Sequence, residues 1–239
     1  MTFPETRHSV LAAVRSDDPA QRRKALERLA SGYWRAVYTY LRLRFRRSPE
    51  DAEDLTQEFF ARALDKGWLE AYQPSKGRFR TYLRACLDGM AANQHQAEGR
   101  LKRGGGATVV SLDFAGLEGE VRRLELPAPD ADVEELFHRE WTRSLLGQAV
   151  EDLEAWCRAR RKDAVWAVFR RYDLAASGSP SKPQLTYADV ARQVDLPVTQ
   201  VTNHLFVARR ELRRLVVERL REVCVDESEV EAEVRELFG

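Results

Sequence analysis

Four acidic side chains crowd the decapeptide DAEDLTQEFF: Asp51, Glu53, Asp54 and Glu58, beside Phe59 and Phe60. Paired carboxylates can do acid–base chemistry when a water-poor cleft shifts their pKa values. The same residues on a solvated face can instead dock a basic partner. Helical phase separates the two cases. At about 100° per residue, Ala52, Leu55, Phe59 and Ala63 fall on one side, and Asp51, Asp54, Gln57 and Glu58 on the other. The acids therefore form an outward stripe, and the neighbouring sequence offers no nucleophile, metal-binding histidine or phosphate-binding glycine loop. A docking surface is expected here, and an enzyme is not.

A second chemistry is suggested by RFRTYLRACLDGMAANQHQAEGRLKRGG. Arg78, Arg80, Arg84, Arg100, Lys102 and Arg103 stand among Asn93, Gln94 and His95, opposed by Asp88 and Glu98. Cationic groups neutralise phosphates, and aromatic or amide side chains can hold unstacked bases. Phe79, Tyr82, Leu83 and Leu87 are better suited to a core. A core helix with a charged outer face would leave the same pattern.

The third pattern is LTYADVARQVDLPVTQVTNHLFVARRELRRL, residues 185–215. Thr186 and Asp189 form a capping box, Val190, Ala191 and Val194 make one apolar face, and Asp195-Leu196-Pro197 turns the chain. A longer helix then places Val201, Leu205 and Ala208 inward. Thr199, Gln200, Thr202, Asn203, His204, Arg209, Arg210 and Arg213 face out, donors suited to phosphates and base edges. This is a helix-turn-helix pattern, although an ordinary helical hairpin with a basic outer face shares much of it.

The elements that must position these groups are helical throughout, and the predicted fold class is all-α. Asp18-Pro19 opens a helix expected to stop at Gly32, and a second is expected over Tyr33–Phe45. Ser48-Pro49 opens the helix of the acidic stripe, and a long one follows from about Arg78 to Gly99. Periodicity is lost between 104 and 132, which predicts a flexible linker joining two helical domains. Helicity resumes near Val133, and an acidic amphipathic segment runs from about Glu227 to Phe238. The expected domains are 1–103, linker 104–132, 133–224, and an acidic tail 225–239.

Composition narrows the class. The net charge is only +1 from 39 basic and 38 acidic residues, so any nucleic-acid surface must arise from local clustering. Three cysteines far apart and four scattered histidines predict neither a disulfide framework nor a zinc site, and no metal or cofactor is expected. No window approaches the roughly 18 apolar residues of a membrane span, and the first residues lack a signal-peptide core. A soluble cytoplasmic protein without a membrane partner is expected.

In order along the chain, these motifs resemble bacterial RNA polymerase sigma factors of the sigma-70 family, extracytoplasmic-function (ECF) type. DAEDLTQEFFARAL resembles the region 2.2 helix that binds core polymerase, and FRTYLRACLDGMAANQ the region 2.3 and 2.4 helix that melts and reads the minus-ten element. TYADVARQVDLPVTQVTNHLFVARREL resembles the region 4.2 helix-turn-helix that reads the minus-thirty-five element. The resemblance implies that Asp51, Asp54, Gln57 and Glu58 meet the beta-prime subunit, and that both beta-prime and beta are partners. It implies that Arg78, Arg80, Tyr82, Arg84, Asn93, Gln94, Arg100, Lys102 and Arg103 lie along minus-ten DNA, with 70–77 holding a flipped base. Thr199, Gln200, Thr202, Asn203, His204, Arg209, Arg210 and Arg213 would face the minus-thirty-five duplex. Asp113, Glu118, Glu120 and Glu125 would thread the RNA exit channel as a transcript mimic. The KRGGG run and the acidic end resemble a branch encoded near serine/threonine kinases, so a kinase or an anti-sigma factor is a further implied partner, with Thr56 and Ser177, Ser179 and Ser181 as conceivable targets. The competing class is a one-component helix-turn-helix regulator that works without polymerase docking. For the acidic tail, two placements are open: folded back on a basic DNA-binding face, or packed on the helix-turn-helix domain through Val230, Val234 and Leu237.

Overall fold

The computed structural model describes residues 13, 16–65, 67–97, 112–122, 133–175, 185–224 and 226–239, and among these every regular element is helical. Helix α1 (Pro19–Arg44) starts where the Asp18 carboxylate accepts the Ala20 N–H at 2.9 Å, with Pro19 preset for the first turn. It does not stop at Gly32 as expected but runs through it. Glycine there costs about 1 kcal/mol of helix propensity. Its place is explained by close approach, because a Cβ at position 32 would overlap the side chain of Val223.

Helix α2 (Pro49–Asp65) opens as the sequence predicts, with Ser48 Oγ accepting the Asp51 N–H at 3.1 Å. A single turn, α3 (Trp68–Ala71), and a 3-10 turn at Pro74–Lys76 lead to Gly77, whose φ of 133° is reserved for glycine. Helix α4 (Phe79–Ala97) follows.

The stretch 104–132, where the sequence loses its periodicity and a flexible linker is expected, contains a helix, α5 (Phe114–Val121). Phe114, Leu117 and Val121 recur at i, i+3 and i+7 and are buried. Two turns interrupted by Gly116 and Gly119 are too short for their periodicity to stand out in the sequence. The remaining helices are α6 (Val133–Ala159), α7 (Asp163–Phe169), which continues into a π-helical turn at Arg170–Leu174, α8 (Tyr187–Val194), α9 (Val198–Val223) and α10 (Glu227–Phe238).

The chain divides into two compact units, Met1–Leu145 with Leu220–Gly239, and Leu146–Arg219. The division falls within α6 and α9, and the acidic C-terminal helix belongs to the first unit.

The first unit has an aromatic core. Tyr33 of α1 meets Phe79 of α4 edge-on and stacks on Trp141 of α6, both at 5.9 Å between centroids. Such pairs add about 0.5–1.5 kcal/mol beyond burial of their area. Phe114 inserts between Trp34 and Tyr38, at 5.3 Å from each ring. Beside it, the buried Glu118 carboxylate accepts from Tyr38 Oη at 2.6 Å and from Arg42 Nε and Nη2 at 2.9 and 2.7 Å. Arg42 outweighs the cost of burial and holds Glu118 down at about 2. Helix α5 is thus fixed to α1 by an aromatic wedge and a bidentate charge pair.

The second unit is built on Val168, Val190, Ala191, Val201 and Leu205, with Tyr172, Leu185, Val194 and Leu196 packed around them. The capping box forms as predicted: Asp189 N–H donates to Thr186 Oγ1 at 3.2 Å, and Thr186 N–H to Asp189 Oδ2 at 3.0 Å. Asp195 ends α8 in the left-handed region at φ 53°.

Candidate functional site

On α2 the phase expected from sequence is observed: Ala52, Leu55, Phe59 and Ala63 are buried, Asp51 and Asp54 exposed, and Gln57 and Glu58 half-buried. Glu58 pairs with Arg62 one turn later. Thr56 and Phe60 are buried as well, so the core-facing arc is wider than the apolar residues alone indicate. Thr56 Oγ1 donates to the Ala52 carbonyl at 2.6 Å and has no exposed surface, which closes it to a kinase while the helix is folded. Asp51 and Asp54 stand in solvent, whereas a pair held for acid–base chemistry sits in a dry cleft.

Among the described residues, those expected at minus-ten DNA are not gathered on one open face. Arg80 is buried; it pairs with Glu233 and lies 3.3 Å from both carboxylate oxygens of Glu236. Arg78 reaches Glu233 at 3.2 Å and also pairs with Glu236. Both acids belong to α10, which also ties down the start of α4: Glu229 Oε1 accepts the Phe79 N–H at 2.7 Å. Arg80 in addition covers the Trp141 ring at 5.4 Å. Arg78 and Arg80, expected along minus-ten DNA, are thus engaged here by an acidic helix far along the sequence. The tail lies within the first unit, on basic Arg78 and Arg80, and not on the helix-turn-helix, with Val230 buried.

Burial raises the Glu233 carboxyl above its ordinary value, against the pull of Arg80 and Arg78. Arg84 is held by Asp88 at 2.7 Å, and Tyr82 Oη donates to the Trp68 carbonyl at 2.6 Å. Asn93 is exposed. Gln94 lies in α4 but its side chain is outside the described residues, as are Arg100, Lys102 and Arg103. In the turn at 70–77, Gln73, Pro74, Ser75 and Lys76 are exposed, while Tyr72 turns inward and donates to the Gly77 carbonyl at 2.7 Å. Burial, with Glu229 and Asp226 nearby, pushes the Tyr72 hydroxyl up to about 12.

The acids expected to mimic RNA are also placed differently. Glu118 is internal, and Asp113 caps α5 by accepting the Gly116 N–H at 3.0 Å. The Glu120 side chain and Glu125 lie outside the described residues, as do Ser177, Ser179 and Ser181.

The second unit presents the opposite arrangement. Val201, Leu205 and Ala208 of α9 face the core, and Thr199, Gln200, Thr202, Asn203, Arg209, Arg210 and Arg213 are exposed, with His204 half-buried. The π-helical turn contributes Tyr172 and Asp173, and Asp173 takes Arg209 in a fork at 3.1 and 2.7 Å. That pair raises the Arg209 pKa and fixes its direction. Sequence reasoning missed Phe206, which is 66% exposed on this face with Arg210 over its ring at 5.9 Å. Its signal was present: residue 206 shares the outward register of 199, 202, 203 and 210, out of phase with Leu205 and Ala208.

Among the described residues, no helix is long and apolar enough to cross a membrane. No curated protein and no solved structure matches this chain. Residues 29–101, under a third of the chain and all within the first unit, match the family model for sigma-70 region 2.

Proposed function

We propose that the chain is an ECF-type sigma factor, a promoter-specificity subunit that binds core RNA polymerase, recognises a promoter and opens it. One observation carries this reading: the region 2 match encloses α2, whose Asp51 and Asp54 stand exposed on the face opposite buried Ala52, Leu55, Phe59 and Ala63. In the reading, Asp51, Asp54, Gln57 and Glu58 dock the beta-prime subunit, with beta as a second contact. The α4 side of the first unit takes the minus-ten element. The helix-turn-helix of α8 and α9 takes the minus-thirty-five duplex through Thr199, Gln200, Thr202, Asn203, His204, Phe206, Arg209, Arg210 and Arg213. Residues 1–103 and 133–224 then carry the two recognition functions. The protein works in the cytoplasm, and release by an anti-sigma factor or a kinase belongs to the same scheme.

The test is co-elution with purified core polymerase, followed by transcription from fragmented genomic DNA. The parent is expected to co-elute and to start transcripts at defined sites. Asp54→Arg is expected to abolish co-elution while the thermal melt stays unchanged, because the side chain is solvated and a reversed charge repels a basic partner. A chain that binds duplex DNA but ignores core polymerase would instead be a one-component helix-turn-helix regulator.

A further inference from the structure

We propose that α10 is the resident occupant of the Arg78–Arg80 surface, an intramolecular substitute for nucleic-acid phosphate that must leave before these arginines can touch a strand. Its carboxylates are spaced for this. Glu229, Glu233 and Glu236 recur at i, i+4 and i+7 and so share one face of α10. That face engages the Phe79 N–H and both guanidiniums. A guanidinium accepts a carboxylate and a phosphate through the same forked geometry, so the two ligands exclude each other.

The contact is graded along the helix. Glu233 is almost completely enclosed, at 1% exposure, whereas the Glu236 side chain keeps 36% of its surface. Entry by a competing anion therefore begins at Glu236 and Arg78, the solvent side, and proceeds inward to Arg80. Val230 anchors the helix by burial, close to Asp226, which caps it by accepting the Glu229 N–H at 2.9 Å. The helix is thus a formed element that can detach as a unit.

A cation is a poorer explanation of the cluster. His138, Glu233 and Glu236 do bring ligand atoms within 4.8 Å of one another. Yet both carboxylates are already neutralised by Arg78 and Arg80, and a metal would have to displace two guanidiniums.

The proposal rests on the sigma-type reading for the identity of its ligand, single-stranded promoter DNA, and the test keeps the two apart. The full chain, Glu236→Lys and Glu233→Gln/Glu236→Gln are titrated with a fluorescein-labelled single-stranded oligodeoxynucleotide, and each is tested for co-elution with core polymerase. Both variants are expected to bind the strand about tenfold tighter than the parent, with a salt slope steeper by about 1.4 for two added phosphate contacts. Adding Arg78→Ala to either variant should cancel most of the gain. Unchanged or weaker strand binding in both folded variants overturns the proposal, whether or not core polymerase co-elutes. Tighter strand binding without co-elution upholds the occupancy of Arg78 and Arg80 and removes the sigma reading instead.

Discussion

Helices α4 and α9 both carry runs of arginine among amide, hydroxyl and aromatic side chains, yet they dispose of them in opposite ways. On α4 and the residue before it, Arg78 and Arg80 are held by Glu233 and Glu236, Arg84 by Asp88, and the Tyr82 hydroxyl by a backbone carbonyl. On α9, Thr199, Asn203, Phe206 and Arg210 face solvent, and Arg209 is braced by Asp173 without being covered. On α4 these polar groups serve as internal fasteners, while on α9 they stand in solvent. A basic run is therefore not yet a basic surface, because carboxylates distant in sequence decide whether its charge is available.

The largest expected effect tests the inward half of this contrast. Glu118→Ala leaves Arg42 and Tyr38 without their shared acceptor and should cost about 3 kcal/mol, the low end for breaking an enclosed pair. Urea denaturation measures it, and a variant as stable as the parent would mean that α5 is held by its aromatic wedge alone. The same pair predicts acid sensitivity. The Glu118 carboxyl lies at about 2 in the folded chain against an ordinary 4.5, so its contribution is complete above that ordinary value and drains away as pH falls towards 2. Glu118→Gln should remove that part of the acid-induced loss, which a pH series of melts would reveal.

A middle-sized effect tests the outward half. Phe206→Ala should weaken binding to minus-thirty-five duplex about tenfold, near 1.4 kcal/mol. The melting curve should hardly move, since a side chain so exposed adds little to the fold. A loss of stability with unchanged DNA binding would break the contrast. The smallest effect is that of Arg210→Ala, which should lower affinity on all sequences alike and reduce the salt slope by about 0.9 for one phosphate contact. Fluorescence titrations at several salt concentrations give that slope directly.

Much of the fold was legible in the residues. Asp18-Pro19, Ser48-Pro49 and the Thr186–Asp189 box marked three helix starts, because caps and proline act within one turn. The phase of DAEDLTQEFF placed Asp51 and Asp54 outside and Leu55 and Phe59 inside. Gly32 misled, since a glycine that ends a helix and one that admits a neighbouring side chain look alike until Val223 is in place. Helix α5 was hidden by its shortness, and its one strong fastener, Glu118, reaches partners some eighty residues away.

The sequence by itself determined an all-helical chain, the inward and outward faces of α2, α8 and α9, and the order of its three charged motifs. These follow from interactions between residues a few positions apart, which a periodicity records. Only the tertiary structure decided that Arg78 and Arg80 are covered, that Glu118 is a fastener, and that the acidic end belongs with the first unit. Each of these depends on which carboxylate meets which guanidinium across a separation that no local pattern encodes, and on the burial that makes such a meeting count.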